Sequence, residues 1–319
     1  MKTRVAKLAN EGEIYLVEKE LNIEKNDVLV KTEQASICGT DKMFYKGELP
    51  PEEDYPLLLG HEGGGEVINI GKGVSKYRPG DKVISFGHYH TFSDYFVIKE
   101  KYLQPVPEGM NMRYAALGEP IACALYSSLN SGVNLGDNVL VLGLGFAGQI
   151  LAQGSKLKGA NKVVGVDVVK GKLSLAKKLG TDIVFNFNDE NINQKLMDIT
   201  NGEGFDVVIE AAGTEESMNM ASDLVKHNGI ISLYSWITEP VTLDIHRWHH
   251  HSLYIRNTGL VHHTPEERYV WAPKALRPVQ QGLIDIESLI SDEYKLEEIE
   301  KAFQAVSNDN NLIKVLIKP

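Results

Sequence analysis

Residues 138–148, Asn-Val-Leu-Val-Leu-Gly-Leu-Gly-Phe-Ala-Gly, run a short Val/Leu-rich segment directly into a G-x-G-x-x-G turn. Glycine-rich turns are common, so the turn alone decides little. Its setting decides more: the apolar run reads as a buried strand, the residues after Gly148 have helical spacing, and Asp167 closes the next apolar run 22 residues beyond Gly145. Strand, glycine turn, helix and distant acid together form the dinucleotide-binding pattern. In it Gly143 permits the tight turn, Gly145 lets backbone N–H groups approach a pyrophosphate, and Gly148 allows close helix–strand packing. Phe146 and Ala147 then open the helix whose N-terminus favours anionic phosphate. Asp167 can accept hydrogen bonds from a ribose diol and repels a 2′-phosphate, which favours NAD over NADP. Lys170 and Lys172 nearby pull the other way, Lys172 being the candidate cofactor contact.

The same alternation continues outward. Apolar runs ("KVVGVD", "DIVFN", "FDVVIEAAG", "IISLYSW") are separated by amphipathic segments of helical spacing. Short Val/Ile-rich runs bounded by glycine read as buried parallel strands with crossover helices, so an α/β doubly wound parallel sheet is expected from about residue 129 to 265. "IISLYSW" is expected to end that sheet and to be free to pair across a two-fold axis. Residues 1–128 differ, with short extended segments ("DVLVKTEQA", "GEVINIG", "DKVISFG", "DYFVIKE") punctuated by "ELPPEEDYP", "YRPGD" and "PVPEG", a mainly β domain. Residues 266–319 hold two helical patterns and the closing strand "LIKVLIKP", and are expected to return to the first domain.

Composition bounds the function. The 319 residues suit two domains, and 43% apolar with 24% charged residues is globular usage. A formal charge of -10 without any basic cluster argues against nucleic acid as a partner. No apolar run is long enough to span a bilayer and the N-terminus lacks a signal-peptide core, so no membrane association and a cytoplasmic location are expected. The chain has two cysteines, Cys38 and Cys123, which excludes a disulfide framework and any four-thiolate metal site.

In the β-rich part, ligand chemistry resides in Cys38 ("ICGTD"), His61 and Glu62 ("GHEGGG") and Glu119 ("GEP"). Zinc takes thiolate, imidazole and carboxylate ligands, and a catalytic site holds three while leaving one place open. Cys38, His61 and a carboxylate form such a set, although their separation in sequence makes spacing alone a weak argument.

The ordered series "CGTD", "GHEGGGEV", "YRPGDKV", "GEPIACALY", "GLGFAG" and "GVD" resembles the zinc-dependent medium-chain dehydrogenase/reductase family, in its alcohol and polyol branch with sorbitol and threonine dehydrogenases. The resemblance covers nearly the whole chain. It implies a GroES-like mainly β catalytic domain joined to a Rossmann domain, one catalytic zinc per chain, and a homodimer or homotetramer. It also implies that Cys38 and His61 are zinc ligands, that Glu62 is an alternative or additional ligand, and that Glu119 occupies the third-ligand position. Thr40 becomes the inner hydroxyl of a proton relay for a small-molecule alcohol that is oxidised to a ketone by hydride transfer to NAD.

Departures from the family carry information. The lobe that holds a four-cysteine structural zinc in many relatives is missing after "GDKV", so no structural zinc is expected. Met43 stands where relatives carry the outer relay histidine, five residues beyond the first ligand, and protons are expected to leave through water or the cofactor ribose. His88 and His90 read as surface or substrate-rim residues. Asp41 suits either orientation of the His61 imidazole or a helix cap, and Phe44 either the pocket or the core. His246, His249, His250, His251, His262 and His263 invite a second metal site, but exposed histidines are the plainer reading, with His262 or His263 placed by resemblance near the substrate. The competing readings are a zinc-free quinone or enoyl reductase of the same fold, which has no use for Cys38, His61 and Glu119 together, and a noncatalytic cofactor-binding protein.

Overall fold

A computed structural model describes residues 1–49, 55–87, 90–260 and 263–319. The chain begins with strands β1 (Lys2–Asn10), β2 (Glu13–Glu20) and β3 (Asp27–Ser36), then helix α1 (Gly39–Lys46). Strands β4 (Leu57–Leu58), β5 (Glu62–Ile70), β6 (Lys82–Ser85), β7 (Tyr95–Lys99) and β8 (Leu103–Pro105) follow, with helices α2 (Met112–Ala115) and α3 (Gly118–Asn130). Helix α1 starts at Cys38, whose backbone N–H donates to Asp41 Oδ2 at 3.0 Å, and ends where Gly47 takes the left-handed φ of 69°.

From β9 (Asn138–Leu142) the chain alternates: α4 (Phe146–Leu157), β10 (Lys162–Asp167), α5 (Lys170–Lys178), β11 (Ile183–Asn186), α6 (Ile192–Ile199), β12 (Phe205–Glu210), α7 (Glu215–Leu224), β13 (Val225–Leu233), α8 (Ile245–His250) and β14 (Tyr254–Asn257). The tail adds α9 (Pro265–Gln280), β15 (Ile290–Lys295), α10 (Ile299–Asn308) and β16 (Lys314–Lys318). Two compact units result. The first comprises Met1–Pro120, Thr264–Gln280 and Ile286–Pro319, and the second Ile121–His263 with Gln281–Asp285. The division falls inside α3 at Pro120/Ile121, whereas the change of sequence pattern suggested 128/129.

In the second unit six parallel strands take the order β11-β10-β9-β12-β13-β14. Side chains along β9 alternate between its faces: Val139 and Val141 join one core with Leu151, Val163 and Val207, while Leu140 and Leu142 join another with Val164, Val208 and Leu224. A strand buried on both faces needs a continuous apolar run, which is why "NVLVL" shows no polar alternation. Each fully buried Val or Leu contributes roughly 1.5–3 kcal/mol relative to exposure. Two expectations are corrected here. "IISLYSW" does not end the sheet: β14, with Tyr254 and Arg256 exposed, pairs with β13 and takes the edge. The segment before it, "SMNMASDLVKHNG", has spacing that predicts helix throughout, but α7 stops at Leu224 and "VKHNG" already belongs to β13.

The first unit holds a three-stranded sheet, β2-β1-β4, and a seven-stranded sheet ordered β15-β16-β3-β5-β6-β8, with β7 also paired to β3. Its cores gather around Phe92, Phe303, Leu8 and Ile317, and around Val28, Val67, Phe96 and Leu103.

Candidate active site

Cys38 caps α1 and His61 and Glu62 open β5, and antiparallel pairing of β3 with β5 sets Ser36 opposite Glu62. Ligand atoms of Cys38, His61 and Glu62 all lie within 4.8 Å of one another, and among the described residues these three alone converge so closely. Glu62 is fully buried. Its Oε2 accepts from Ser36 Oγ and, at 2.8 Å, from the buried ammonium of Lys314, which also donates to Ile37 O at 3.3 Å. Its Oε1 is buried with no hydrogen-bond partner. An orphaned carboxylate oxygen beside a thiol and an imidazole is costly unless a cation takes it, and this donor set suits zinc.

The field of the site agrees. Asp41 is 2% exposed and its Oδ1 lies 3.6 Å from His61 Nδ1. Burial works against charge on the His61 imidazole, but Asp41 and Cys38 outweigh it and push the imidazole well above its usual range. Burial likewise works against the Lys314 ammonium, yet Glu62, Cys38 and, more weakly, Glu119 hold it above the ordinary lysine value. Positive charge is therefore favoured among these carboxylates and the thiol.

The other candidates fall as follows. Glu119 sits half-buried in the first turn of α3, outside the converging group, and acts on Lys314. Thr40 Oγ1 lies 3.9 Å from Cys38 Sγ, and Met43 is half-buried in α1. Phe44 packs against the core of the first unit. His90 Nδ1 is 2.9 Å from Leu58 O, whereas His88 and His262 lie outside the described residues. His263 Nε2 is 3.1 Å from Tyr126 OH. His246/His250 and His227/His251 form ring pairs with centroids 4.2 Å apart around one open cavity. Among the described residues no three of these histidines bring ligand atoms together as the Cys38 group does. Sequence reading missed Ser36 and Lys314: neither type announces ligand support, and Lys314 lies 252 residues from Glu62.

In the second unit, Gly143 has φ 89°, and a Cβ there would stand 2.8 Å from the Ala211 and Ala212 backbone. A Cβ on Gly148 would fall 1.9 Å from Gly143 O, so helix α4 packs directly on the turn. At Gly145 a Cβ would meet nothing within 4 Å; beyond this residue is open space that a side chain would fill, ahead of Phe146 and Ala147 at the start of α4. Asp167 Oδ2 accepts from Leu144 N–H at 2.7 Å and Oδ1 from Val169 N–H at 2.8 Å. The acid thus braces the glycine turn, and each of its oxygens keeps further acceptor capacity. Lys172 is half-buried and its carbonyl accepts from Gln149 Nε2.

Comparisons with known proteins place this geometry. Residues 24–108 match the alcohol dehydrogenase GroES-like domain and residues 147–273 the zinc-binding dehydrogenase domain. The chain belongs to the zinc-dependent medium-chain dehydrogenase/reductase family, and it is an oxidoreductase of the alcohol and polyol dehydrogenase branch. It is 26% identical to a sorbitol dehydrogenase of Halalkalibacterium halodurans, with 92% of each chain covered. It is 29% identical to an L-threonine 3-dehydrogenase of Aliivibrio fischeri, with 94% of each covered. The crystal structure of benzyl alcohol dehydrogenase from Acinetobacter calcoaceticus shares the fold at a TM-score of 0.90 and 20% identity, covering 100% of this chain and 99% of that one. No helix among the described residues is long and apolar enough to cross a membrane.

Proposed function

We propose that this chain oxidises a secondary alcohol of the polyol, sugar-like or amino-alcohol class to a ketone, with NAD and one zinc ion per chain. The observation that carries the reading is the Glu62 carboxylate: Oε2 is held by Ser36 and Lys314, and the buried Oε1 is left bare beside Cys38 and His61. Cys38, His61 and Glu62 would hold the metal, with Glu119 the other carboxylate in reach of the same charge network. When bound, zinc supplies Lewis acidity that acidifies a substrate hydroxyl, and NAD supplies the hydride acceptor.

The chain's own residues then have separate tasks. Thr40 Oγ1, close to Cys38, is the hydroxyl that would accept the substrate proton and pass its own to water, since Met43 offers no basic group. Asp41 orients His61 and stabilises positive charge around it. Lys314 neutralises Glu62 without competing for Oε1. Asp167 and the amides beyond Gly145 select and seat a dinucleotide with free ribose hydroxyls, hence NAD. A small-molecule alcohol or ketone is the partner, acted on by a homodimer or homotetramer in the cytoplasm.

Metal analysis and an NAD-reduction screen over polyols, amino alcohols and sugar derivatives test this. The expected result is one zinc per chain and NADH formation with at least one class. Cys38→Ala and His61→Ala should each lose the zinc and lower kcat/KM by about a thousandfold, several kcal/mol of transition-state stabilisation. Retention of zinc and full activity in both variants would falsify the site.

A further inference from the structure

Glu210 ends β12 and is fully buried in the second unit, where the reaction gives it no direct part. Its Oε1 accepts from Ala212 N–H at 2.8 Å, Gly213 N–H at 2.7 Å and Ser217 Oγ at 2.7 Å. Its Oε2 accepts from Ser235 Oγ, and its backbone carbonyl from Tyr234 N–H and Ser235 N–H. One buried carboxylate therefore ties together the turn after β12, the first turn of α7 and the residues just beyond β13.

These segments occupy a particular place. In the order β11-β10-β9-β12-β13-β14 the chain reverses direction of travel between β9 and β12, and ligands of such sheets bind outside the carboxyl ends of the strands at that switch. The glycine turn after β9 and the Ala211–Gly213 turn after β12 lie side by side, with Ala211 N–H donating to Leu142 O at 2.8 Å and no room for a side chain on Gly143. Gly143–Gly148 and Asp167 account for the adenosine and pyrophosphate half of a dinucleotide. At the same strand ends of this unit lie residues 211–213 and Ser235, none of them buried, which the adenosine and pyrophosphate contacts do not use.

We propose that Glu210 is the positioning residue for the nicotinamide half of the cofactor, holding these two segments in one shape before the ligand arrives. This rests on the nicotinamide reading above. A turn fixed by charge-assisted bonds from several elements has little ordering entropy left to lose on binding, so the carboxylate acts on affinity without touching the ligand.

The test compares NADH with ADP-ribose, which keeps the adenosine and pyrophosphate but lacks nicotinamide, by fluorescence titration and calorimetry on the full chain. Glu210→Gln retains an oxygen for the two amides, and the Ser235 hydroxyl can turn to accept from the new amide. It is expected to raise the Kd for NADH about tenfold, the scale of one weakened charged hydrogen bond, while the Kd for ADP-ribose stays within about twofold. Ser235→Ala, which removes one donor and leaves the turn closed, should raise the NADH Kd alone by a smaller factor. Equal weakening of both ligands would reduce Glu210 to a general structural role and overturn the proposal, as would unchanged NADH affinity in both variants. If the wild-type chain bound neither ligand, the cofactor reading would fall together with it; normal ADP-ribose binding isolates the failure to Glu210.

Discussion

Both carbonyls that flank His61 are held by one residue. Thr91 N–H donates to Gly60 O at 3.0 Å and Thr91 Oγ1 to Glu62 O at 2.9 Å, and Thr91 is fully buried. The approach is possible because residues 60 and 63 carry no Cβ: one on Gly60, whose φ is 99°, would stand 2.8 Å from Thr91 Oγ1, and one on Gly63 2.9 Å from Thr91 Cβ. Thr91→Val keeps the branched shape but leaves the Glu62 carbonyl without its side-chain donor, at a cost of about 1–3 kcal/mol. The variant should melt lower and surrender zinc to a chelator faster than wild type, with Thr91→Ser restoring most of both. Wild-type melting and zinc retention in the valine variant would show that the clamp is incidental. The glycines of "GHEGGG" run into strand β5, and only its two candidate ligands were legible in the sequence. What it packs against was not, because the partner lies 29 residues away and threonine in an extended segment has many ordinary uses.

Among the elements, those with a strong period were readable from sequence and those set by neighbours were not. The run "NVLVLGLG" declares a strand buried on both faces and a glycine turn, whereas "YIRN" of β14, with three of four residues exposed, has no apolar signature and becomes a strand only by pairing with β13. The segment "VKHNG" likewise has helical spacing yet forms strand, because pairing with β12 in an irregular register overrides the local pattern. Strand β1 is tied by a feature that no period reveals. Arg4 on β1 reaches Asp94, just before β7, through Nε at 2.9 Å and Nη2 at 2.7 Å, and continues to Glu297. Chiefly the hydrogen bonds from the Arg4 side chain, against the opposing effect of burial, hold the Asp94 carboxyl below its usual range. Because the folded-state value is depressed, this contribution is complete above the ordinary aspartate value and fades as pH falls through it toward the folded value. Asp94→Asn should therefore lower stability to urea by about 1 kcal/mol at neutral pH, the difference from wild type shrinking below about pH 4. A difference independent of pH would assign the effect to packing instead.

For the molecule as a whole, the tail is a structural member of the first unit. Strand β16 lies between β15 and β3, so the seven-stranded sheet is completed only by the last residues of the chain. Val315, Leu316 and Ile317 are each 1% exposed or less, and Lys314 brings the counter-charge of Glu62 on the same strand. One element thus couples the core of this unit to the electrostatics of the Cys38, His61 and Glu62 cluster. Truncation after Asn310 removes three buried aliphatic side chains, about 5–9 kcal/mol by burial, comparable with the whole stability of a typical domain. It also leaves Glu62 buried without its cation, which alone costs about 3–5 kcal/mol when a buried pair is broken. The second unit takes none of its strands from residues 311–319. The truncated chain should therefore lose zinc and the cooperative melting of the first unit while still binding ADP-ribose. A truncated protein that kept both zinc and a wild-type melting profile would mean that the final strand is dispensable and that the Glu62 charge is balanced without Lys314.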